Sequence, residues 1–106
     1  EPEPEPPARQ VDGNLPVPSL DLYLSGSSAV DVQWEAVGGV SGYQIYRKTG
    51  SSGSWSVVKT TSYAYTSWVD SGPSEGRTYY YRICSYKTVN GVKVFSNYST
   101  SVKISL

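Results

Sequence analysis

Few residues in this chain could make or break a bond. It holds no histidine and one cysteine, and its nine aspartates and glutamates are matched by nine lysines and arginines. Acid/base work would therefore fall to carboxylates, lysine, tyrosine or Cys84, and glycoside hydrolysis needs two carboxylates about 5 to 9.5 Å apart across a cleft. No such pair stands out. Asp31 and Glu35 flank the outward side of one strand-like segment, Asp70 closes another, and Glu75 lies in a turn, where solvated or turn-forming roles suffice. Asp21, Asp31 and Asp70 lack the dense Asp/Asn spacing of a calcium loop, and without histidine the usual Cys/His zinc cage cannot be assembled. Cys84 has nothing nearby to mark it as a nucleophile and reads as a small filler on a partly covered sheet face, with adventitious disulfide dimers as the other outcome. The expectation is a non-enzyme with no cofactor and no metal.

What remains is stacking chemistry. Ten tyrosines and three tryptophans offer flat apolar faces with polar edges, which suit pyranose rings, a protein partner, or simply one another across strands. Strand alternation puts Tyr46, Tyr80, Arg82 and Tyr86 on one outer face, with Trp55 on the adjacent edge and Gln44 nearby. Cross-strand tyrosine pairs stabilise sheets by roughly 0.2 to 1 kcal/mol each without any ligand, so a purely structural role stands beside the binding role.

These rings must be positioned by strands, because the chain shows no sustained helical stripe and is rich in residues that fit pleated surfaces. Leu20, Leu22 and Leu24 alternate in a first strand, and Val30, Val32 and Trp34 in a second. In a third, Tyr43, Ile45 and Arg47 share one side while Gln44, Tyr46 and Lys48 share the other. Residues 55–60 make a fourth strand, and residues 63–70, dense in aromatic and hydroxyl side chains, a fifth. Residues 79–89 make the longest, with Tyr79, Tyr81, Ile83 and Ser85 inward and Tyr80, Arg82, Cys84 and Tyr86 outward. Asn90 and Gly91 signal a type I′ hairpin into Val92, Lys93 and Val94. Residues 99–106 end the pattern, with Val102, Ile104 and Leu106 alternating. Turn clusters separate these runs at the spacing of a sandwich, so the expected fold is an all-β, seven-stranded antiparallel β-sandwich, its two layers closing over Trp34 with no buried polar cluster able to do bond-making work.

Residues 1–16 read differently. EPEPEPP alternates a φ-locked ring with a repelling carboxylate, which favours extended polyproline II, and residues 8–16 are expected to continue this tether. The division is thus a Pro/Glu-rich interdomain linker over 1–16 and a domain over 17–106, excised from a longer modular protein. A chain of 106 residues with balanced charge supports one core and has no field to draw it to nucleic acid or anionic lipid. No apolar run approaches the roughly 20 residues of a membrane span.

The pattern resembles the fibronectin type III family over about residues 18–106. Trp34, in Val-Asp-Val-Gln-Trp, sits where that family plugs its core, and Gly42, Tyr43, Gln44, Ile45 and Tyr46 are similar to its Gly-Tyr-x-Ile/Val-Tyr strand. Pro73 to Tyr79 resembles its Leu-x-Pro-Gly-Thr-x-Tyr turn, with Pro73 in the place of leucine, which makes Tyr79 the tyrosine corner. The resemblance implies a structural core of Trp34, Tyr43, Ile45, Tyr79, Tyr81 and Ile83. The wording of the third and sixth strands is similar to modules in extracellular multidomain proteins of Gram-positive, clostridia-like bacteria, where such modules separate catalytic, carbohydrate-binding and anchoring domains. It implies a secreted or cell-wall location and a monomer whose partners are neighbouring domains. Three readings stay open: a non-catalytic spacer or scaffold; a carbohydrate-binding module using Tyr46, Trp55, Tyr80, Arg82 and Tyr86; and an adhesion module using the Asn90 hairpin, with Thr88, Val92, Val94 and Phe95 near its tip. The glycosylation-like triplet Asn97, Tyr98 and Ser99 is short and frequent enough to carry little weight.

Overall fold

The computed structural model describes residues 10–106, so the EPEPEPP stretch lies outside the described residues. Among these, eight strands form: β1 (Leu20–Leu24), β2 (Val30–Trp34), β3 (Gly42–Thr49), β4 (Ser56–Ser62), β5 (Ser67–Asp70), β6 (Thr78–Val89), β7 (Val92–Phe95) and β8 (Val102–Ser105). They make two antiparallel sheets, one ordered β1-β2-β5 and one ordered β4-β3-β6-β7 with β8 also pairing β6. The sheets close over Leu20, Val30, Val32, Trp34, Tyr43, Ile45, Tyr79, Tyr81 and Ile83. Trp34 and Tyr43 meet at the centre with ring centroids 5.7 Å apart. The period-2 pattern read from the sequence is the reason: on β2, β3 and β6 every second residue points into this layer.

The expected seven strands become eight because the last is broken. Ser96 faces Ser85 and Val102 faces Tyr81, so the outer chain takes six steps while β6 takes four, leaving residues that must bulge. Serine hydroxyls replace the missing ladder carbonyls. Ser85 N–H donates to Ser96 Oγ at 2.9 Å, and Ile83 N–H donates to Ser99 Oγ at 3.0 Å. Two amides of β6 are thereby paired, and the bulge carries Tyr98 to the Arg82 guanidinium.

Residues 63–70 were also expected to be one strand, yet only Ser67–Asp70 is extended, and residues 63–66 cross from one sheet to the other. A segment joining two layers roughly 10 Å apart cannot lie in either ladder. The hairpin at Asn90 and Gly91 forms as expected, with φ of 52° and 80° and Val89 paired to Val92.

Residues 10–16, read as tether, are hydrogen-bonded to the sandwich. Val11 bridges Phe95 in parallel, Phe95 N–H donates to Gln10 O at 2.9 Å, and Asp12 N–H donates to Phe95 O at 2.8 Å. Ser85 Oγ then donates to Pro16 O at 2.6 Å, so a buried serine of β6 fixes the approach to β1.

Candidate functional site

The first candidate is the outer face of β3 and β6, where the register sets Tyr46 opposite Arg82, Lys48 opposite Tyr80 and Gln44 opposite Cys84. These side chains do stand together, but they cover one another. Tyr46 is only 2% exposed, which corrects its expected place in an open aromatic row. Tyr98 lies edge-on to it with centroids 5.1 Å apart, and the Tyr46 hydroxyl donates to Gln44 Oε1 at 2.6 Å.

The Arg82 guanidinium sits 3.6 Å from the Tyr98 centroid, 4.3 Å from that of Trp55 and 5.5 Å from that of Tyr46. Lys48 Nζ lies 5.0 Å from the Trp55 ring and 5.3 Å from Tyr80. Such contacts contribute about 0.5 to 1 kcal/mol each at exposed sites and more when desolvated. A sugar would have to displace a cation to reach most of these faces. Tyr86, also expected outward and open, is buried: its hydroxyl donates to Thr61 O at 3.3 Å, and its ring packs on Phe95 at 6.1 Å. Gly42 makes room for it, because a Cβ there would come within 2.7 Å of the Tyr86 hydroxyl. Phe95 therefore belongs to this packing and not to the hairpin tip. Cys84 is wholly buried on the same face, a small filler under its neighbours.

Sequence reasoning missed Tyr98. Its only sequence signal is the pair of serines, Ser96 and Ser99, that make the bulge possible.

The second candidate is inside. Asp70, expected to be solvated or turn-forming, is 3% exposed. It pairs with Arg47 and accepts a hydrogen bond from the Tyr81 hydroxyl at 2.7 Å, while Gly72 N–H donates to its other oxygen at 3.0 Å. Arg47 was correctly read as inward-facing; its partner was not visible, because Asp70 comes from the opposite sheet. Gly72 is required at the close approach, since a Cβ there would meet Arg47 at 2.7 Å. Burial, then the bond to Asp70 and its charge, pushes the Tyr81 phenol far above its ordinary value. Burial works against the Arg47 charge, but Asp70 outweighs it and holds the guanidinium above its ordinary value. The cluster is thus an ion pair with a neutral phenol at neutral pH. All of its members are engaged with one another, so none is poised to exchange a proton with a substrate.

The remaining expected core residues lie in the core. Tyr79 is buried, and its hydroxyl accepts from Ser74 N–H at 2.7 Å, five residues upstream. Pro73 is buried where the resembled family has leucine. Tyr43 accepts from Val37 N–H at 3.1 Å. Trp34 is buried, though its Nε1 has no acceptor among the described residues. A three-on-five antiparallel sandwich, with a tryptophan plug on the second strand and a tyrosine tying the turn before the sixth, decides the matter.

The chain has the fold of a fibronectin type III domain.

Solved structures agree. A Fn3-like protein from Clostridium thermocellum is similar at 26% identity and a TM-score of 0.69, over 83% of this chain and 88% of that one. The fn3 domain of human contactin 1 is similar at 15% identity and a TM-score of 0.70, over 88% of this chain and 78% of that one. The FN1–FN3 domains of chicken CNTN1 match at 16% identity and a TM-score of 0.66, over 91% of this chain and 30% of that one. No family model and no curated protein matches the chain. Domains of this fold are generally non-catalytic modules, and the role of this one follows from its own surfaces.

Proposed function

We propose that this fibronectin type III domain is a non-catalytic spacer in a secreted or cell-surface multidomain protein, setting the separation of the domains on either side. One observation carries the reading: the chain enters and leaves at opposite ends of an elongated body, and both ends are held. The body measures 43 × 27 × 20 Å. On entry, Gln10 and Asp12 are bonded to Phe95, which faces Tyr86. On exit, Leu106 N–H donates to Arg77 O at 2.9 Å and Leu106 O accepts from Gly76 N–H at 3.0 Å. From Thr78 to Tyr86 the strand covers about 26 Å at the usual rise per residue. A pull on one end is therefore passed to the other through ladder hydrogen bonds, without slack.

Carbohydrate binding through Tyr46, Trp55, Tyr80, Arg82 and Tyr86 gains no support from a face whose rings are covered by Arg82 and Lys48. The exposed valines of the hairpin, Val89 and Val92, border a shallow groove with Asp12 and Lys87. That groove adjoins the entering chain and suits contact with the domain before it. The test exchanges the domain inside its parent protein. Replacing residues 17–106 by an unrelated sandwich of equal length should preserve the parent's activity, whereas deletion should impair it. Loss of activity on exchange would overturn the spacer reading.

A further inference from the structure

We propose that the groove between the free edges of β4 and β5 binds a neutral oligosaccharide, with Tyr65 as its stacking platform and Trp68, packed against the core, as its half-buried apolar wall. The groove is lined by Lys59, Thr60, Thr61, Ser62, Tyr65, Ser67 and Trp68, and holds about 430 Å³. That volume falls within the roughly 300 to 1,000 Å³ of small-molecule sites.

Three observations point to a sugar. The first is the state of the rings. On the β3/β6 face the aromatic rings are covered by Arg82 or Lys48, or packed on another ring, but Tyr65 is 61% exposed and Tyr63, in the same link, is 67% exposed. Among the described residues, no ring or cation lies against either of them. Exposing two tyrosines sacrifices the burial that the other face obtains from the same residue type.

The second is rigidity. The link carrying these rings is four residues long and hydrogen-bonded at every step. Tyr63 N–H donates to Ser41 O at 3.0 Å, Tyr65 N–H to Ser62 O at 3.3 Å, and Ala64 N–H to Ser62 Oγ at 3.4 Å. Trp34 N–H donates to Thr66 O at 3.0 Å. A display fixed in this way binds without the ordering cost of a floppy loop.

The third is the polar complement. Hydroxyls of Thr60, Ser62 and Ser67 both donate and accept, which matches the hydroxyls of a sugar, and no carboxylate lines the groove. Lys59, whose Nζ lies 5.9 Å from the Trp68 centroid, is the only charged side chain lining the groove among the described residues, so recognition there rests on hydroxyl groups and a ring face more than on charge pairing. A protein partner would need about 800 Å² with an apolar centre, whereas the rings here are bordered by hydroxyls and one ammonium.

The experiment is an NMR titration of the whole chain with cellohexaose, xylohexaose and mannohexaose, following the Trp68 indole N–H and the amides of residues 59–68. At least one probe should shift these signals saturably. Tyr65→Ala, at an exposed position that leaves the core intact, should weaken that binding at least tenfold, and Trp68→Phe should weaken it less. Trp55→Ala, on the covered face, should leave it unchanged. The proposal is overturned if none of the three probes shifts these signals, if the shifts map to Trp55 and Tyr80, or if Tyr65→Ala binds as the parent does. Any of those results leaves the spacer reading intact, since domain exchange reads that separately.

Discussion

At the scale of single residues, the most consequential group is Asp70, a carboxylate buried between two sheets with a guanidinium and a phenol. Removing one member of a buried pair strands the other, which costs about 3 to 5 kcal/mol, whereas a neutral hydrogen bond is worth about 0.5 to 1.5 kcal/mol. Asp70→Ala should therefore destabilise the domain several times more than Tyr81→Phe, as read by urea denaturation at neutral pH. The two variants also separate in alkali. The Tyr81 phenol is raised in the folded state, first by burial and then by Asp70. The unfolded chain releases that proton near the ordinary tyrosine value of about 10, while the folded chain keeps it. The stabilisation is fully present below pH 10 and is lost as pH rises toward the folded value. Above pH 10 the parent should lose stability more steeply than Tyr81→Phe, by up to about 1.4 kcal/mol per pH unit. Equal slopes would show that Tyr81 holds its proton no more tightly folded than unfolded.

At the scale of elements, the sheet edges hold the features that alternation does not describe. β7 would be an open edge, and residues 10–12 cover part of it through two backbone hydrogen bonds to Phe95. Removing residues 1–12 should leave the fold in place but expose the Phe95 amide. Its hydrogen exchange should accelerate at least tenfold, while that of Ile45 at the sheet centre changes only with global stability. An unchanged Phe95 rate would mean that the segment does not rest on the edge in solution. The bulge between β7 and β8 is the second such feature. It needs serines where it leaves the ladder, because only a short hydroxyl can replace a carbonyl at that distance, and it carries Tyr98 over Arg82.

At the scale of the whole molecule, the spacer reading requires a body that does not flex between its ends. Cys84 is buried, so two added thiols can be labelled selectively in the folded protein. Spin labels at Asn14→Cys and Lys103→Cys, both exposed positions, should give one narrow distance distribution. A broad distribution would mean that residues 10–16 swing freely and that the domain is hinged at its entrance.

The sequence was sufficient for whatever depends on neighbours along the chain. Period-2 alternation identified the strands that contribute Trp34, Tyr43, Ile45, Tyr79, Tyr81 and Ile83 to the core. The Asn90 and Gly91 turn was legible because a type I′ turn needs positive φ at both positions and few residues tolerate it. What joins separate strands was settled only by the tertiary structure. Alternation says which face a residue takes but not what lies opposite, so Arg47 was readable as inward while Asp70, its partner on the other sheet, was not. For the same reason Tyr46 and Trp55 looked like open rings until Tyr98, Arg82 and Lys48 were seen to cover them. The exposed rings at Tyr63 and Tyr65 emerged only once their segment proved to be the crossing between layers. A strand periodicity ends where the chain must leave its sheet, and the sequence does not mark the distance it has to cross.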